Sequence, residues 1–175
     1  MRIPRPDMPE IGQLCARIVP DGTPVMVKVM VDTHAVPSEC LANVNRVVAA
    51  KGGRRQNGWA ISEWPQAFIE AEFHAVWVSP EGEFIDVSPP PLPLDSNLFL
   101  PDPVTEFSGK RIDNIRYPIT TDPLVHEFVV GLAKMETMTG TNIGLNRVKV
   151  TPELRQLMLD MKRMFAEMDQ KYSRF

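Results

Sequence analysis

Residues 72–89 read EFHAVWVSPEGEFIDVSP. Two apolar, aromatic-flanked segments meet at Pro80-Glu81-Gly82, a turn composition that predicts a β-hairpin. Side chains alternate along a strand, so Phe73, Ala75 and Trp77 share one face, opposite Glu72, His74, Val76 and Val78. On the second arm Phe84, Asp86 and Ser88 oppose Ile85 and Val87. The hairpin therefore carries one histidine and one aspartate into an apolar neighbourhood. A turn centred near Glu81-Gly82 pairs residues whose numbers sum to about 162 or 163, which sets Trp77, not His74, across from the Glu83–Asp86 stretch. A sum of about 160 would place His74 opposite Asp86, and it requires a turn centred at Pro80 with a bulge or wider loop.

Upstream, ECLANVNRVVAAK (39–51) spaces Leu41, Val44, Val47 and Val48 on one helical face, with Ser38 as the expected N-cap and Gly52-Gly53 as the stop. That leaves Cys40 in the first turn, where unpaired N–H groups and the positive end of the helix dipole favour a thiolate. RQNGWAISEW (55–64), FIEAEFHAVWVS (68–79) and EFIDVS (83–88) read as successive antiparallel strands packed on this helix. The fold class expected is α+β: a helix with Cys at its N-terminus packed on an antiparallel sheet, followed by two C-terminal helices.

Residues 1–10 hold three prolines and read as an N-terminal arm. EIGQLCARIV (10–19) places Ile11, Leu14, Cys15 and Ile18 on a core face, and valine-dense PVMVKVMVD (24–32) reads as a strand. Residues 89–96 form a Pro-rich strap, for which a PxxP ligand is the sharper alternative. NLFLPD (97–102) reads as a short strand, and residues 103–121 look irregular. In 122–172, Asp122-Pro123 and Thr151-Pro152-Glu153 each open a helix, and Gly140 closes the first. The last helix puts Leu154, Leu157, Met158, Met161, Phe165 and Met168 on one face, to pack on the domain or to serve a homodimer contact.

At 175 residues the chain fits a single domain, 1–175, with one core. A net charge of -3 and a pI near 5.6 supply no basic field for nucleic acid, and Lys51 with Arg54-Arg55 is only a short positive spot. No apolar run nears the ~20 residues of a membrane span, and MRIPRPDMPE lacks the apolar stretch of a signal peptide, so a cytoplasmic location is expected. Cys15 and Cys40 are expected to be free thiols, and neither belongs to a CxxC pair. Without GxGxxG, GxxxxGK[ST] or HExxH, no cofactor and no metal is expected.

Nucleophilic cysteine chemistry needs a thiolate, an imidazole to hold or move its proton, and a third group to orient the imidazole. Cys40, His74 and Asp86 supply these types in that order, on a helix start and two adjacent strands. The SEC that opens the helix (38–40), together with FHAVWVSPEGEFIDVSP (73–89), resembles the transglutaminase-like and arylamine N-acetyltransferase-like enzymes of the papain-like superfamily, over residues 37–90. The resemblance implies Cys40 as nucleophile, His74 as general base and acid, and Asp86 as orienting acid. It implies thiol-dependent acyl chemistry on a peptide or small-molecule amide or ester, by hydrolysis, deamidation or amine transfer. This chain departs from the pattern at Glu39 and Leu41, where an aromatic often flanks the cysteine, and at His34, where a papain-like enzyme carries its oxyanion glutamine.

An oxyanion hole could combine the Cys40 N–H with Trp59, Asn43 or His34. Trp59 and Trp77 also read as plain core aromatics, and Glu70 and Glu72 as solvated carboxylates or contacts for a cationic substrate. Two other functions suit the same residues: a non-enzymatic binding or assembly protein retaining the fold, and a metal site on Cys40, His74 and Asp86.

Overall fold

The computed structural model describes residues 1–91, 93–140 and 150–172, and among them the chain forms four helices and six strands. In order these are α1 (Pro9–Ile18), β1 (Val25–Val29), α2 (Cys40–Lys51), β2 (Arg54–Trp64), β3 (Phe68–Val78), β4 (Phe84–Asp86), β5 (Ser96–Pro101), β6 (Ile115–Pro118), α3 (Pro123–Thr139) and α4 (Pro152–Tyr172). No described helix is long and apolar enough to cross a membrane. Where the sequence suggests one core, the contacts gather into two compact units, residues 3–62 with 71–106, and residues 1–2 with 63–70 and 107–175.

The strands follow the order β2-β5-β1-β4-β3-β6, and β2 also pairs with β3, so five strands close into a barrel. The expected antiparallel sheet is corrected at one seam. β1 runs parallel to β4, with Lys28 beside Ile85 and Val29 beside Asp86. Parallel neighbours need a long crossover, and α2 with the β2–β3 hairpin supplies it. β5 is antiparallel both to β1, with Val25 beside Phe99, and to β2, with Ile61 beside Leu98. Gly58 permits the close β2–β5 approach, since a Cβ there would stand 2.3 Å from the Leu100 carbonyl oxygen.

The predicted alternation along β3 is observed. Val76 packs with Val27, Phe99 and Phe84, whereas Ala75 and Trp77 pack with Ile85 and Val87 against Val44 and Val47 of α2. The stop after α2 is also where the sequence places it. Gly53 has φ 79°, and a Cβ there would lie 2.2 Å from the Val78 carbonyl oxygen. At the other end the N-cap is Glu39 rather than Ser38, and no side chain caps the helix. Ser38 adopts φ 64°, because the preceding loop is turned back onto Asn43, whose side chain takes both the N–H and the carbonyl of Val36.

In the second unit, Trp64, Phe68, Val125, Phe128, Met161, Met168 and Tyr172 form the core. Asp122 accepts the Leu124 N–H and Thr151 the Leu154 N–H, so both caps read from the sequence hold. Met158 departs from the expected α4 face and is about half exposed, whereas Phe165, also half exposed, keeps it with its ring edge-on to Trp64 at 5.3 Å. The unforeseen strand is β6, inside the stretch expected to be irregular. Its four residues are all half-buried, which leaves no alternating pattern to read. Arg116 anchors it, bonded to Glu70 and Glu136, so Glu70 is neither a solvated carboxylate nor free for a cation. The strap residues 89–91 and 93–95 form neither helix nor strand, and position 92 lies outside the described residues.

Candidate functional site

Three elements of the first unit bring Cys40, His74 and Asp86 together. Cys40 is the first residue of α2, His74 lies within β3 and Asp86 ends β4. His74 Nε2 is 2.8 Å from Asp86 Oδ2, and Cys40 is near enough to the ring to act on its pKa. With Nε2 engaged by the carboxylate, Nδ1 is the ring nitrogen that remains for a second partner.

The register that achieves this is the simple one. Trp77 pairs with Ile85 and Val78 with Phe84, closed by a Ser79–Glu83 backbone bond and by Gly82 at φ 91°. Extending that ladder sets Asp86 across from Val76, two residues beyond His74. Diagonal neighbours on one sheet face lie about 7–8 Å apart, within reach of an imidazole and a carboxylate. Direct pairing of His74 with Asp86, and the bulge it would require, are therefore unnecessary.

Asp86 is 3% exposed and is held at both oxygens. Oδ1 accepts the Ser88 N–H at 3.0 Å, and Oδ2 accepts from Asn97 Nδ2 at 3.3 Å in addition to His74. Burial would raise its pKa, but the hydrogen bond and charge of His74, then the Ser88 N–H and the Asn97 amide, outweigh burial and hold the carboxyl below its usual range. Burial likewise lowers the imidazole's pKa. The hydrogen bonds to Asp86 and Cys40 and their charges reverse that and raise His74 to about 10. An imidazolium with a carboxylate behind it is the state this pair favours.

The suggested oxyanion donors fare differently. Trp59 is 4% exposed, its indole N–H is bonded to Asp102 at 3.0 Å, and its ring packs edge-on against Phe73. It is a core aromatic and not a free donor. Asn43 is fully buried and its amide is committed to Val36 and Ser88. His34 is exposed and tied down by its backbone, its N–H to Asp32 and its carbonyl to Arg46. Trp77 donates its indole N–H to the Gly52 carbonyl. What remains is the backbone at the start of α2, which has no side-chain cap and no acidic residue in its first turn.

Asn97 and Ser88 are the site residues that sequence reasoning missed. Ser88 follows Asp86 at the two-residue spacing of an Asx turn, a signal that was present. Asn97 ends a Pro-rich segment and gives no local sign of its role. An open groove of about 420 Å³ is lined by Val47, Trp77, Ile85 and Val87, part of the cluster on which Cys40 packs, together with Asp32 and Lys51, and by none of Cys40, His74 and Asp86. Half-exposed Met30 and Val31 edge it.

Among the described residues no group of three or more His, Cys, Asp or Glu side chains is arranged to hold a metal ion. Both cysteines are free. No protein-family model, curated protein or solved structure matches the chain.

Proposed function

We propose that the chain performs thiol-dependent acyl chemistry with Cys40 as nucleophile, His74 as the proton carrier and Asp86 as its orienting carboxylate. The observation that carries this reading is the His74–Asp86 pair at 2.8 Å, with Cys40, the first residue of α2, near enough to act on the same imidazole.

Having given its proton to His74, the Cys40 sulfur attacks an amide or ester carbonyl, forming the S–C bond of a tetrahedral intermediate as the carbonyl electron pair moves onto oxygen. The Cys40 N–H, uncapped at the helix start, is placed to donate to the oxyanion. His74 then gives its proton to the departing amine or alcohol, the C–N or C–O bond breaks, and a thioester remains on Cys40. Water or an amine attacks that thioester, His74 takes the incoming proton, and the C–S bond breaks, releasing the acyl product and returning the Cys40 sulfur as a thiolate. Asp86 keeps the ring oriented and stabilises the imidazolium without itself being protonated. The apolar groove beside the cluster suits an apolar part of a peptide or small acyl substrate.

The two cysteines make the test internal. Cys15 is 2% exposed, and burial pushes its thiol up to about 11. Alkylation of the folded protein should therefore mark Cys40 and spare Cys15, and His74→Ala should slow labelling at Cys40. A Cys40 that stays inert while folded, or that reacts equally without His74, removes the catalytic reading.

A further inference from the structure

Asn43 entered as a possible oxyanion donor, and the structure gives it different work. We propose that Asn43 is a positioning residue that locks the Cys40 end of α2 to the turn holding Asp86, an inference that rests on the catalytic reading of Cys40, His74 and Asp86. Asn43 lies one turn after Cys40 and is fully buried. Its Oδ1 accepts the Val36 N–H at 2.9 Å, and its Nδ2 donates to the Val36 carbonyl at 2.9 Å. Both polar groups of one residue are thus gripped as a neighbouring strand would grip them. That grip fixes the loop directly ahead of the nucleophile, where Ser38 takes its φ of 64°.

The second Nδ2 hydrogen faces Ser88 Oγ at 3.3 Å. Ser88 in turn donates its backbone N–H to Asp86 Oδ1 at 3.0 Å, and Asp86 holds His74. The chain of contacts runs from Cys40 along α2 to Asn43, across to Ser88, to Asp86 and to His74, the imidazole that Cys40 also influences. Every donor and acceptor of the buried amide is used, so Asn43 has one orientation that satisfies its partners. A shift of the helix start relative to the Asp86 turn must break one of these bonds. The thiol–imidazole alignment is thereby coupled to a side chain that touches neither group.

The experiment is the rate of iodoacetamide alkylation at each cysteine of the folded, full-length chain. Asn43→Ala should slow Cys40 by about 10-fold to 100-fold, the range for misplacing a reacting group by roughly an ångström, while Cys15 stays protected. Combined with His74→Ala, Asn43→Ala should add no further loss, because it acts through the imidazole; a residue that only stabilises the fold would add its effect independently. Ser88→Ala should give a smaller slowing of the same sign. A Cys40 rate unchanged by Asn43→Ala, Cys15 labelled in step with Cys40, or full additivity with His74→Ala overturns the proposal. Should Asn43→Ala not fold, Ser88→Ala decides alone, and a wild-type rate overturns it. If His74→Ala itself leaves Cys40 unaffected, the catalytic reading has failed; if His74→Ala slows Cys40 and Asn43→Ala does not, only the positioning role has.

Discussion

Two buried charged networks can be set side by side. In one unit, Arg116 bonds Glu70 through Nε at 2.5 Å and Glu136 through both terminal nitrogens at 2.9 and 2.8 Å, and Arg111 adds a further bond to Glu136. In the other, His74 pairs with Asp86, and Cys40 acts on the same ring. The Arg116 and Glu136 side chains are each 7% exposed, against 16% for His74 and 4% for Asp86, so burial does not separate the networks. The proton carrier does. A guanidinium never releases its proton under ordinary conditions, so the first network has one charge state and fixes structure. An imidazole can gain or lose its proton, and here its second neighbour is Cys40 instead of another fixed charge.

The largest expected effect breaks the reactive network. His74→Ala should lower Cys40 reactivity by about 10² to 10⁴-fold, the usual scale of a positioned acid–base, and should also lower the thermal midpoint by leaving buried Asp86 without its partner. Glu136→Ala should cost stability alone. Stranding Arg116 and Arg111 beside a lost partner should cost about 3–5 kcal/mol in denaturant unfolding, with Cys40 reactivity in the folded protein retained.

Asp86→Asn sharpens the contrast through pH. His74 is raised from about 6.5 to about 10, so its contribution to stability is fully present below pH 6.5 and is lost as pH rises to about 10. Asp86 is lowered, so its contribution is present above the ordinary carboxylate range and is lost as pH falls through its depressed value. In Asp86→Asn the His74 titration followed by NMR should move down toward about 6.5, and the alkaline loss of stability should flatten. The smallest effect on reactivity belongs to Trp59→Phe. With its N–H engaged by Asp102, the change should cost about 1–3 kcal/mol of stability for the unpaired carboxylate oxygen and leave the Cys40 rate within about two-fold.

Local pattern made much of this legible. The 3.6-residue spacing of α2, the alternation of β3 and the cap residues Asp122 and Thr151 are properties of neighbours in sequence, and each stands where the pattern places it. The types and order of Cys40, His74 and Asp86 were legible for the same reason. Illegible features depend on partners remote in the chain. Ser38 loses its cap role to a loop gripped by Asn43, and Trp59 is claimed by Asp102, 43 residues on. The parallel β1–β4 seam, the closure of β2 on β3 and the buried strand around Arg116 likewise arise between distant segments. The hairpin register differs for another reason: direct opposition is not the only cross-strand contact, because a diagonal pair reaches as well.

The most direct test is to trap the thioester. An activated acyl ester is mixed with the folded protein, quenched in acid, and the acylated residue is located by mass spectrometry, alongside His74→Ala and Cys40→Ala. The account predicts rapid, hydroxylamine-sensitive acylation confined to Cys40, strongly slowed in His74→Ala and absent in Cys40→Ala. Acylation of Cys40 at the same rate with and without His74, or none on Cys40 at all, would contradict it.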